Sequence, residues 1–238
     1  MVYTSLTDAP QDFREGVDWL LAMKGKDAYK NLAAMAEAVH HLFERDTLRS
    51  EVLEALKKTQ DISQKFLDQE GLKDQLFVKE FLQRLAKPLN KLPGALADSP
   101  DVTSTTVTKD LVHVVDRCEK FLKKSKLYKQ YEAAYSSEAS WEASCAKDPE
   151  ACAVVLVGIA PMLYAGLRSL QVASAHALEN ESDSKAKERM GEVLKAVGFK
   201  ESDCPDSERS SPVHKALRRV DEHVFTVLHN LAGFWVFN

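Results

Sequence analysis

Apolar residues recur at three- and four-residue intervals along most of this chain, the spacing of a helix that buries one face. The first run predicts a helix over 9–23, with Phe13, Val17, Leu20 and Leu21 inward and Trp19 at the margin. Thr7 or Asp8 is expected to cap it, Pro10 falls near its first turn, and Gly25 ends it. A second helix is predicted over 27–45, with Leu32, Met35, Ala36, Val39, Leu42 and Phe43 inward. A third covers 48–69 through Val52, Leu56, Ile62, Phe66 and Leu67. Gly71 interrupts it, and Leu72, Leu76, Phe77, Phe81 and Leu85 continue the pattern to Pro88. Periodicity resumes at Val107 with Leu111, Val114, Val115, Cys118, Phe121 and Leu122. Leu127, Tyr128, Tyr131 and Tyr135 are expected to line the next helix, and Trp141 a short turn capped by Ser137 or Ser140. Met190, Val193, Leu194 and Val197 mark a helix ending at Gly198. A last one, over 213–231, carries Leu217, Val220, Val224, Leu228 and Leu231 on one face.

One stretch has no polar face. From Ala151 to Leu167 there is no charged side chain, so a helix here must be surrounded by protein or by lipid. Asp148 is placed to cap it, Pro149 suits the first helical position, and Glu150 meets the positive end of the helix dipole. A span needs roughly 20 apolar residues, and this run is shorter and interrupted by Gly158, Pro161 and Gly166. It therefore reads as the buried centre of a bundle, extending to about Leu178, with a Pro161 kink near Val157.

Two segments break the pattern. Residues 88–106, with three prolines and the Thr103–Thr106 cluster, and the hydrophilic residues 200–212 read as irregular loops. The C-terminal Phe234, Trp235 and Phe237 are expected to dock on the bundle; exposed, they would offer a partner surface. The fold expected is all-α: a single domain over 1–238, with about eight or nine helices around the central apolar one.

Apolar residues at 45% and charged residues at 29% are ordinary for a soluble chain, and a net charge of -4 gives no basic footprint for nucleic acid. No basic region followed by an apolar core opens the chain, so no secretory signal is expected. Cys145 and Cys152 flank a turn and could form a disulfide if their α-carbons lie within about 7 Å. Two reduced core cysteines are the equal alternative. Cys118 reads as a buried thiol and Cys204 as a loop thiol.

Glu37-Ala-Val-His40, with His41 and Glu44 beside it, is the sharpest candidate for chemistry. Glu-x-x-His on one helix is half of a carboxylate di-iron site, which needs a second copy and two more inward glutamates. No second copy exists, so these residues read as a polar face carrying Glu37–His41 and His40–Glu44 pairs. His214, His223 and His229 scatter around the last helix, and His113 and His176 stand alone. No nucleophile elbow, phosphate loop or zinc-protease motif is present. No catalytic, cofactor-binding or metal-ligating set is expected.

Leu6-Thr-Asp-Ala-Pro10, Glu15-Gly-Val-Asp-Trp-Leu20 and Gly25-Lys-Asp27 resemble the opening of the variant erythrocyte surface antigen family of Babesia. Tyr135–Cys145 and Cys152–Leu170 are similar to related piroplasm multigene-family proteins of short length. The likeness to the large antigens covers roughly the first thirty residues. It implies a non-enzymatic parasite protein, exported to the infected red cell, with a partner at the host-cell surface and a role in adhesion or antigenic variation. Gly16 stands where that opening often has a cysteine, and the four cysteines contrast with the cysteine-rich large members. The C-terminal membrane anchor of those members has no counterpart among the segments read above. The alternative function is a carrier of small molecules or lipid, using a cavity near Val157, Met162 and Leu163.

Overall fold

A computed structural model describes residues 2–44, 48–86, 103–125, 132–180, 182–199 and 210–236, with side chains at 210 and 233–236 outside that description. Helix α1 (Phe13–Lys24) starts later than the pattern predicts. Its cap is Asp12, whose carboxylate accepts from the Glu15 N–H, and Gly25 closes it at a φ of 54°. Helix α2 (Ala28–Phe43) follows after Asp27 and buries all six residues expected of it. Helix α3 (Ser50–Leu67) ends before Gly71, where a φ of 89° favours glycine. Helix α4 (Leu76–Leu85) then begins in a different phase. Val78 is buried while Leu76, expected inward, is 81% exposed.

Helix α5 (Ser104–Lys124) begins inside the segment expected to be irregular. The Thr103 hydroxyl accepts from the Thr106 N–H and the Thr106 hydroxyl from the Thr103 N–H, so the threonine cluster is a reciprocal cap. Residues 87–102 lie outside the described structure, as do Tyr128 and Tyr131. Tyr135 is not helical: it forms a bridge with Tyr3. Ser140 caps the short α6 (Trp141–Ser144), as anticipated.

Helix α7 (Pro149–Glu179) is the apolar rod, and the Asp148 carboxylate accepts from the Ala151 N–H at 3.1 Å. It runs for 31 residues with Pro161 inside it. By length and composition it could therefore cross a bilayer, which corrects the length argument. Its surroundings favour the bundle centre: 83% of its most apolar window is buried. It packs against α1, α2, α3 and α4, and against α8 (Ser184–Ala196), α9 (Ser210–Leu217) and α10 (Glu222–Val236).

Close approach to this rod depends on missing side chains. A Cβ at Gly158 would fall inside the Thr59 side chain of α3, and one at Gly166 inside the Phe13 ring of α1. Helices α9 and α10 replace the single last helix predicted, and α9 starts within the segment expected to be a loop. A turn at 218–221 separates them, yet Leu217, Val220, Val224, Leu228 and Leu231 are all buried. The fold is all-α and globular, with ten helices among the described residues.

Candidate functional site

The histidines and carboxylate at the end of α2 converge, though not in the combination the Glu-x-x-His spacing suggests. His40 Nδ1 and His41 Nδ1 each lie 3.3 Å from Glu44 Oε2. One ligand atom from each of these three residues falls within 4.8 Å of the other two. Glu37 stands apart from that trio, 3.8 Å from His41 Nε2. Both pairs expected of this polar face, Glu37–His41 and His40–Glu44, are present, and His41 reaches Glu44 in addition.

Three of the other histidines, His113, His223 and His229, are engaged by neighbouring helices, whereas His176 is exposed on α7. His113 of α5 is 3.0 Å from both Asp221 oxygens, and Arg117 reaches the same carboxylate at 3.5 Å. His223 of α10 is 2.9 Å from Asp110, and the two imidazoles meet edge to face at 5.2 Å. This pair of crossed contacts ties α5 to the turn between α9 and α10. Burial raises the Asp221 carboxyl, but the His113 hydrogen bond and the Val224 N–H outweigh it and hold the group below its ordinary range. His229 lies against Phe81 and Tyr164, and burial, aided by Arg84, lowers its proton affinity. Partners more than a hundred residues apart leave no local signal in a sequence.

Cys145 and Cys152 are joined by a disulfide, with α-carbons 5.7 Å apart. It links the end of α6 to the first turn of α7 across the Asp148–Pro149 entry. Cys118 is fully buried and its thiol is pushed up to about 12 by burial. Cys204 lies outside the described residues.

The carrier alternative meets a filled interior at the points it names. Val157, Met162 and Leu163 are each completely buried, and Leu163 and Met162 close on Gly16 of α1. A pocket of about 80 Å³ lies elsewhere, between α2, α5 and α10, lined by Phe43, Val107, Asp110, Leu111, Val227 and Asn230 among others. That is room for a few waters rather than a lipid.

The segments that carry the family resemblance meet in space. Tyr3 exchanges backbone hydrogen bonds with Ala134 and Ser136, and its ring stacks on Tyr135 at 4.7 Å. The Tyr135 hydroxyl donates to the Asp8 carbonyl at 2.7 Å, and the Leu6 N–H to the Ser144 hydroxyl at 3.0 Å. Trp19, fully buried rather than marginal, donates its indole N–H to the Leu6 carbonyl at 2.8 Å. Asp18 accepts from the Ala134 N–H at 2.9 Å. Residues 3–8 thus form a strap that lies across α1 and the approach to α6. No protein-family model, curated protein or solved structure matches the chain.

Proposed function

We infer that this chain is a non-enzymatic interaction protein of piroplasm type, related to the variant erythrocyte surface antigens of Babesia and acting through its surface. The observation that carries the reading is the joining of the two resembling blocks. Residues 6–20 and 135–145 lie far apart in sequence, yet they hydrogen-bond to one another through Leu6 with Ser144 and Asp8 with Tyr135, and Asp18 holds the neighbouring Ala134. A likeness confined to scattered exposed residues would have no such common purpose. A shared scaffold explains it: the resembling residues hold the frame, and the segments between them are left to vary.

The partner in this reading is a protein at the host-cell surface. Its contacts would come from the stretches read as irregular in the sequence, 88–106 and 200–212, of which 104–106 and 210–212 open helices α5 and α9. The test is to localise the tagged protein in infected red cells, with and without protease applied to intact cells. Export followed by trimming at the cell surface supports the proposal. Retention inside the parasite, untouched by protease, would overturn it.

A further inference from the structure

We propose that His40, His41 and Glu44 form a binding site for a divalent first-row transition metal at the C-terminal end of α2. The decisive quantity is the spacing of the ligand atoms. Bonds of about 2.0–2.1 Å in a tetrahedral zinc site place neighbouring ligand atoms about 3.3–3.4 Å apart. Both His Nδ1 atoms stand at 3.3 Å from Glu44 Oε2. That is long for a charge-assisted N–H···O contact, which closes to about 2.7–2.9 Å, and it matches two edges of the tetrahedron.

The third edge, between the imidazoles, lies within the 4.8 Å that encloses all three ligand atoms. The His41 side chain, 60% exposed, has room to turn towards His40. Two imidazoles with one carboxylate suit zinc, copper or nickel over calcium or magnesium, which prefer oxygen ligands throughout. The last turn of a helix also presents the negative end of its dipole to a cation. Three protein ligands leave a fourth position open to water or to a side chain from another molecule. The site stands on this geometry alone and is independent of the antigen reading.

Calorimetric titration of the full, untagged chain with Zn²⁺ tests it. The expected result is one saturable site, weakened roughly tenfold or more by either His41→Ala or Glu44→Gln, and unchanged by His223→Ala. Absence of saturable uptake would overturn the proposal. So would uptake that survives both H41A and E44Q, or that is lost in H223A, because the ion would then sit elsewhere. These ligands are on the surface, and circular dichroism of each variant separates a lost site from a lost fold.

Discussion

The Ser63 hydroxyl donates a 2.6 Å hydrogen bond to the Gly158 carbonyl. Ser63 is fully buried on α3, and Gly158 stands three residues before Pro161 on α7. Pro161 offers no N–H to the helix, and its ring crowds the carbonyls of the preceding turn. The serine therefore supports the rod one residue from the bond that proline removes, while Gly158 lets Thr59 approach the same point. Gly158→Ala should destabilise by about 1–3 kcal/mol, because overpacking exceeds the ~1 kcal/mol of helix propensity gained. Adding Thr59→Ala should restore only part of the loss, since the Thr59 Cβ also stands in the way. Urea unfolding of the single and double variants measures both.

Asp12 has an unusual pH signature. Burial pushes its carboxyl up to about 6, with the Glu15 carboxylate adding to it and the Glu15 N–H opposing. The folded state thus holds this proton more tightly than the unfolded chain. The resulting stability is complete below the ordinary carboxylate range near 4 and is lost as pH rises through about 6. Asp12→Asn keeps a capping oxygen without the charge. The variant should melt higher than the parent at pH 8, with the difference shrinking towards pH 4. Thermal melts across that interval decide it.

The Cys145–Cys152 disulfide closes a loop with a sequence separation of 7. A loop of that size corresponds to about 2–3 kcal/mol of lost unfolded-state entropy. Reduction, or the double change to alanine, should lower the melting temperature without changing the helix content seen by circular dichroism. Cys118 should stay unlabelled by thiol reagents until the chain unfolds, since it is fully buried and its thiol is held protonated.

Trp19→Phe should cost about 2–3 kcal/mol, combining the unpaired Leu6 carbonyl with the space left by the smaller ring. The readout that identifies the strap is local. Amide exchange at Tyr3 and Ser136, whose N–H groups bond across to residues 134 and 3, should accelerate more than exchange within α7. Uniform acceleration across the bundle would show that Trp19 acts on the core instead.

Asp221 has two tasks: it receives His113, and it accepts from the Val224 N–H at 3.2 Å near the start of α10. Its carboxyl is held below the ordinary range, so its contribution is present at neutral pH and lost as pH falls through the acid limb. The side chain is 43% exposed, so solvent screening limits the ion pair to below about 1 kcal/mol. Asp221→Ala adds the loss of a cap, and the total should be about 1–2 kcal/mol at pH 7. The deficit relative to the parent should vanish near pH 2, by denaturant titration at both pH values.

Periodicity made the helices legible wherever one face meets one neighbour. All six residues expected inward on α2 are buried, and so is nearly every position of the rod through Leu167. It failed where a turn resets the phase. Past Gly71 the apolar spacing runs on, but α4 starts at Leu76, which faces outward. It failed again at Trp19, whose cover comes from Leu6, a residue in no helix. At α9 and α10 it joined two helices into one, because the intervening turn preserves the buried face. The His40 and Glu44 pairing was readable from an i,i+4 spacing, whereas the turning of His41 to the same oxygen was not. The His113–Asp221 and His223–Asp110 contacts were beyond reach, being set by how α5 crosses the far end of the chain.

The strap also dictates an order of events during synthesis. Leu6 finds Ser144, Asp18 finds Ala134, and Phe13 finds Gly166 only after the ribosome has made most of the polypeptide. Until then α1 has only α2 and α5 to pack against, and the face that meets α7 stays uncovered. Contacts of such long sequence separation slow folding and prolong the exposure of sticky surface. The nascent molecule must therefore make its rod before residues 3–24 can settle.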